Sequence, residues 1–298
     1  MTAPTIIDVA GRPARVRIDG DLSSPPVVLL HGIGRSLEDW GPASLRLAAD
    51  YRVISLDIPG SGFSARRPGP ATLTDFALGV LETLDALGET RPVHLMGHSL
   101  GGAIALQVQA IAPERVASLV LAGAAGFGSQ VTPMMRLITL PVLGRLMTMR
   151  TTALSAQLAE RTAFADPAFV TPARVEHALA MGNQPGSGAI MRETLQSLAT
   201  VRGVRADWRQ ALLAAVARNP RPTLVVWGDQ DRVLPASHLE AVRRLIPHAQ
   251  THLFTGAGHM TLIERADEFV ALARDFIASS STSAPSKRPT RSLPEEPA

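Results

Sequence analysis

Val93-His94-Leu95-Met96-Gly97-His98-Ser99-Leu100-Gly101-Gly102 is the stretch whose reading decides the fold. Its first four residues form a short apolar run of the kind that makes a buried parallel strand. From Leu100 to Ile111 the pattern turns helical. Between them, Gly97-His98-Ser99-Leu100-Gly101 matches G-x-S-x-G. In that pattern the serine occupies a sharp strand-to-helix turn, and the glycines let other backbone approach closely. Such a turn lifts the Ser99 hydroxyl to the sheet edge, while the helix N-terminus favours negative charge developing beside it. Five residues alone would be weak evidence, because a glycine-rich turn can carry an incidental serine. The strand before, the helix after and Gly102 supply the required context.

Outward from this centre the rhythm repeats. Val27–Leu30, Val53–Leu56, Leu119–Leu121 and Leu224–Trp227 read as further buried parallel strands. Leu73 to Leu87 carries helical periodicity, with Thr72 and Asp75 at its start and Gly88 at its stop. Repeated strand–helix order predicts an α/β fold with a doubly wound, mostly parallel sheet, its chemistry at the strands' C-terminal ends.

The rhythm breaks between about Gly126 and Ala206. Pro133, Pro141, Pro167, Pro172 and Pro185 fall there, among helical fragments and no convincing strand. The expected organisation is a core of residues 1–125 and 207–278, an inserted helical cap or lid at 126–206, and a disordered tail at 279–298 with little apolar content. Six of the nine methionines lie in the insertion: Met134, Met135, Met147, Met149, Met181 and Met191. They suit core filling in the cap first, and alongside it an adaptable apolar wall over a pocket. Met134 to Arg150, apolar with interspersed arginines, has a pattern that would also suit a membrane surface. Pro141 and Gly144 interrupt it, which favours a pair of cap helices.

Composition excludes several classes. Hydrophobic residues are 46% and charged residues 18%, enough for a large core and against general disorder. No apolar run is long enough to span a bilayer. The opening residues lack the basic start and apolar run of a secretory signal, so a soluble, cytoplasmic protein is expected. There is no cysteine, which removes disulfides, thiolate metal sites and a cysteine nucleophile. The net charge of +3 reflects dispersed arginines with aromatics at only 4%, and nucleic-acid binding is not expected.

A serine hydroxyl needs a base. Gly256-Ala257-Gly258-His259 follows the apolar Thr251–Phe254 strand and places His259 on a loop at a strand end. The orienting acid should lie between Ser99 and His259, again just past a strand, and two candidates follow Trp227: Asp229 and Asp231. The loop after Leu121 carries no carboxylate. His31-Gly32-Ile33-Gly34 follows the Val27–Leu30 strand, where the main-chain N–H groups of Ile33 and Leu100 are the expected oxyanion donors. His31, Gly32, His98, Met134 and Met260 are candidates for the substrate pocket. No clustered ligand set suggests a metal, and no cofactor is expected.

From about Val27 to Ile277 the chain resembles the α/β-hydrolase superfamily. The resemblance rests on HGIG at His31–Gly34, DIPGSGFS at Asp57–Ser64, GHSLGG at Gly97–Gly102, WGDQDRVLP at Trp227–Pro235 and GAGH at Gly256–His259. It implies that Asp231, the second aspartate of W-G-x-x-D-x-x-x-P, is the triad acid, that Asp57 shapes a turn, that Glu264 supports the histidine loop, and that the insertion controls access. A serine at position 99 separates the chain from relatives with an aspartate nucleophile. The expected activity is hydrolysis of an ester or related acyl compound with a hydrophobic group, through an acyl-enzyme. The GAAGFG stretch at Gly123–Gly128 also resembles carbon–carbon bond hydrolases of meta-cleavage pathways, although His98 and Met260 stand where those carry Asn and Trp. A cofactor-free haloperoxidase and a non-catalytic binding module are the remaining alternatives.

Overall fold

The computed structural model describes residues 1–282 of the chain. In chain order its elements are β1 (Thr5–Val9), β2 (Arg12–Asp19), β3 (Pro26–Leu30), α1 (Gly41–Leu47), β4 (Arg52–Leu56), α2 (Leu73–Ala86), β5 (Val93–His98), α3 (Leu100–Ile111) and β6 (Val116–Ala122). Next come α4 (Pro133–Ile138), α5 (Pro141–Thr148), α6 (Ala153–Ala163), α7 (Pro172–Gly182), α8 (Ser187–Leu198), and the short strands β7 (Ala199–Thr200) and β8 (Gly203–Val204). The chain finishes with α9 (Ala206–Arg218), β9 (Thr223–Gly228), α10 (His238–Leu245), β10 (Gln250–Phe254), α11 (Thr261–Glu264) and α12 (Ala266–Thr282).

Eight strands form one sheet in the order β1-β2-β4-β3-β5-β6-β9-β10. The pairs β1–β2 and β2–β4 are antiparallel, and every other pair is parallel. The strands β3, β4, β5 and β9 are buried along their whole length, which is why they read as continuous apolar runs. One apolar layer, under α2, α3, α9 and α10, includes Phe76, Val80, Ile104, Val216 and Val242. The other, under α1, α11 and α12, includes Trp40, Leu47, Leu262, Phe269 and Phe276.

The chain leaves β3 to one side for β4 and returns on the other side for β5, so β3 and β5 are hydrogen-bonded neighbours. In open α/β sheets this reversal is where ligands gather, beyond the strands' carboxyl ends. Here it brings together the loops after β3 and β5, at His31 and Ser99. Between β6 and α9 the chain runs through α4–α8, the segment expected as the cap. The interval ends in the β7–β8 hairpin, a feature that the sequence pattern did not suggest. The antiparallel β1–β2 pair was likewise not expected. The helix α12 continues through Thr282, past the tail boundary expected at Ser279; the remainder of that tail lies outside the described residues.

Candidate active site

Ser99 joins β5 to α3 with φ 54° and ψ −116°. Positive φ is costly for a residue with a β-carbon and persists only where the surroundings enforce it. The enforcement comes from the neighbouring strand end. Ser99 N–H donates to Ala122 O at 2.9 Å, and Ser99 O accepts from Ala125 N–H at 3.0 Å. The flanking glycines are required by close approach. A β-carbon on Gly101 would lie 2.3 Å from Leu30 O, and one on Gly97 would lie 2.4 Å from Gly101 O. Leu100 is the first residue of α3, a position whose N–H has no acceptor within the helix.

Asp231 lies in the loop after β9. Its Oδ1 accepts the N–H groups of Val233 and Leu234 at 2.8 and 2.9 Å, which fixes the carboxylate plane. Its Oδ2 is 2.7 Å from Nδ1 of His259, and both side chains are buried. A carboxylate at that distance accepts the Nδ1–H, so the Nε2 of a neutral His259 carries the lone pair. Asp229, the competing candidate, is exposed and instead accepts Gly256 N–H at 2.8 Å. The loop after β6 connects this pair to the serine. Ala122 O holds Ser99 N–H, and a β-carbon on the next residue, Gly123, would meet His259 Nδ1 at 3.1 Å and Asp231 Oδ2 at 3.4 Å.

His98, beside Ser99, packs its ring on His259 with centroids 4.5 Å apart and donates from Nε2 to His259 O at 3.1 Å. Its buried Nδ1 has no hydrogen-bond partner among the described residues. Burial, together with the nearby His259 ring, pushes the His98 pKa well below the usual imidazole value. Gly32 lies against the same pair, where a β-carbon would come within 3.0 Å of His98 Nδ1 and 3.2 Å of Ser99 Cβ. Ile33 follows in a turn closed by Arg35 N–H to Gly32 O at 3.3 Å, which leaves its own N–H out of the turn.

The other pocket candidates take different places. His31 is completely buried; it donates from Nδ1 to Gly32 O at 2.8 Å and accepts Ile58 N–H on Nε2 at 3.0 Å. It braces the loop from beneath rather than lining an open pocket. Met260 is buried in the core under α11 and α12, and Met134 stands 47% exposed on α4. Of the six insertion methionines, Met191 does approach the loop after β3: a β-carbon on Gly34 would lie 2.5 Å from its methyl. Asp57 accepts Leu37 N–H at 2.8 Å and Phe63 N–H at 2.9 Å, and it shapes that turn.

A charged cluster joins the loop after β3 to the cap. Arg35 grips Asp39 through two hydrogen bonds of 2.6 and 2.7 Å and also binds Glu160 of α6. Arg174 of α7 donates to Asp39 at 3.1 Å and forms a 3.3 Å ion pair with Glu160, its guanidinium 4.9 Å over the Phe164 ring. Desolvation opposes charge on Arg35, but Asp39 and Glu160 outweigh it and raise its pKa. Beside this cluster, Glu38 is also desolvated. Hydrogen bonds with His177, Arg15 and Ser36 nevertheless hold its carboxyl far below the usual carboxylate range. The cap touches the histidine loop too. His259 N–H donates to Ala163 O at 2.8 Å. Glu264 accepts Ala165 N–H, Asp166 N–H and Gly258 N–H at 2.8, 3.1 and 2.7 Å. No group of three or more His, Asp or Glu suited to holding a metal occurs among the described residues.

A hydroxyl on a forced elbow, a carboxylate-oriented imidazole and a helix N-terminus are the parts that nucleophilic acyl chemistry uses. The chain belongs to the α/β hydrolase fold family, whose profile matches residues 25–266. Among individual proteins, it is 36% identical over 266 residues to the dihydrolipoyllysine-residue acetyltransferase component of the acetoin cleaving system of Pseudomonas putida, covering 89% of this chain and 67% of that one. The chain spans 63% of the counterpart from Cupriavidus necator. It is 30% identical over 281 residues to 2-hydroxymuconate semialdehyde hydrolase of Pseudomonas sp. strain CF600, covering 87% of this chain and 89% of that one. Its structure is similar to that of the meta-cleavage product hydrolase CumD of Pseudomonas fluorescens IP01. There the TM-score is 0.77 at 26% identity, over 93% of this chain and 98% of the other.

Proposed function

We propose that the protein is a serine hydrolase that cleaves an ester or related acyl compound bearing a hydrophobic group, through an acyl-enzyme. The observation that carries this reading is the 2.7 Å His259–Asp231 pair set beside the forced backbone of Ser99. Ser99 Oγ attacks the carbonyl carbon as His259 Nε2 takes its proton, and Asp231 steadies the resulting imidazolium. The N–H groups of Ile33 and Leu100 stabilise the oxyanion. The tetrahedral species collapses, and the departing alcohol takes the proton from His259. Water, deprotonated by the same nitrogen, then releases the acid and restores Ser99. These steps require no metal or organic cofactor.

The likeness to two meta-cleavage hydrolases supports a second reading, hydrolysis of a carbon–carbon bond in a dienoate. The ion pairs of this chain favour the first. Arg35 and Arg174, the arginines next to the loop after β3, are matched by Asp39 and Glu160 rather than held ready for a substrate carboxylate.

A fluorophosphonate probe tests the nucleophile. Labelling of the wild type and its loss in Ser99→Ala are expected, together with turnover of p-nitrophenyl esters. Absence of labelling in the folded wild type would sink the acyl-enzyme and leave a binding module. Turnover of a 2-hydroxy-6-oxodienoate without any ester turnover would move the second reading to the front.

A further inference from the structure

The outer side of the cap carries a concentration of apolar side chains that nothing among the described residues covers. The helices α4 and α5 pack on each other and on α8. They leave Leu137, Leu140, Val142, Leu143, Leu146 and Met149 exposed, Val142 and Met149 by 74% and 73%. The α5 positions recur at helical spacing and share one face. Single exposed apolar residues are ordinary on a soluble protein, but a clustered patch marks an interaction surface.

The charges around the patch narrow the partner. Arg145 and Arg150 are exposed beside it and form no ion pair among the described residues. Glu193 on the neighbouring α8 is already matched by Arg66. Between Glu114 and Glu160 the chain contains no Asp or Glu. A second copy of the chain docked face to face would set arginine against arginine with no carboxylate to answer it. An apolar stripe flanked by unmatched arginines has the chemistry of a helix lying in the plane of an anionic membrane surface.

We propose that the α4–α5 face of the cap docks reversibly on anionic lipid. Leu143, Leu146 and Met149 enter the headgroup boundary, and Arg145 and Arg150 meet lipid phosphates. The break at Pro141 leaves two short segments that lie flat, and no helix among the described residues is long and apolar enough to cross a membrane. The inference is independent of which acyl compound the active site takes.

Flotation of the purified full-length protein with vesicles tests it. Equimolar phosphatidylcholine–phosphatidylglycerol vesicles should capture the protein, and capture should weaken with added salt as the charges are screened. Arg145→Gln and Arg150→Gln should each weaken binding by about fivefold. The double variant Val142→Asp/Leu146→Asp should lose capture while its melting temperature stays that of the wild type, since both side chains are exposed. Three results would overturn the proposal: no capture, equal capture by pure phosphatidylcholine vesicles, or undiminished capture of the double variant. A wild-type dimer in light scattering that the double variant dissolves would also overturn it, and would assign the face to a second copy.

Discussion

The main-chain N–H of His259 donates to the carbonyl of Ala163 at 2.8 Å, which ties the proposed base to the last turn of α6. One turn earlier on the same helix, Glu160 binds Arg35, directly after the proposed oxyanion loop. A single turn of helix rises about 5.4 Å and is stiff along its axis. This turn of α6 therefore sets the span between the loop of the proposed base and the loop of the proposed oxyanion donor.

Glu160→Gln removes one of two buried carboxylates shared by two half-buried arginines. Breaking a buried pair costs roughly 3–5 kcal/mol, so a fall in melting temperature on the order of 10 °C is expected for a domain of this size. Ester turnover should fall with it, because Arg35 follows the Ile33 loop. Glu193→Gln, which breaks only the half-exposed Arg66 pair, should cost less than about 1 kcal/mol. Equal melting curves for both variants would contradict the role given to α6.

Asp231→Asn should lower kcat by about four orders of magnitude with little change in KM, because the amide disturbs the tautomer at His259. Asp229→Asn, which alters only the exposed contact with Gly256, should remain within about threefold. Steady-state kinetics on one ester distinguish the two, and a larger loss for the Asp229 variant would reverse the assignment.

Gly101→Ala would ordinarily gain up to about 1 kcal/mol near a helix start from propensity alone. Here the sign reverses, since the new β-carbon would sit 2.3 Å from Leu30 O and 2.6 Å from His31 O. Backbone at that distance must shift, and the Ser99 elbow with it. The expected outcome is a lower melting temperature and weaker fluorophosphonate labelling. A variant more stable than wild type would show that the turn has room.

Stability should decline in mild acid. Burial pushes His94 and His238 down to about 4. In the unfolded chain each takes a proton near pH 6.5. Between those values the unfolded state binds more protons, so stability is greatest above about pH 6.5 and is lost progressively toward pH 4. Urea midpoints at pH 7.5 and pH 5 measure the loss, which should be smaller in His238→Gln. Identical midpoints at the two pH values would refute the assignment of buried neutral rings.

The central strands are legible because both faces are covered, so an unbroken apolar run survives as a local signal. The site loops are legible because each sits at a strand end where crowded backbone demands glycine. The antiparallel β2 escapes notice because Arg15 and Arg17 lie along it, half-buried and buried, Arg15 matched by Glu38 and Asp57 from elsewhere in the chain and Arg17 by Asp19 at the strand's own end. The same holds for Arg35, Asp39, Glu160 and Arg174. Each reads as an ordinary solvated charge until folding brings partners from distant segments together. His31 misleads in the opposite sense: its place at the sheet edge suggests a pocket wall, yet both ring nitrogens serve the backbone.

The anchoring of α6 at Glu160 and Ala163 bears on how such a scaffold diversifies. Exchanging the whole interval between β6 and α9 with that of a relative would import foreign registration of the histidine loop along with a new specificity surface. Grafts that keep Glu160–Asp166 native and replace only the helices on either side would change the surface over the proposed site while leaving the His259 loop in its own alignment.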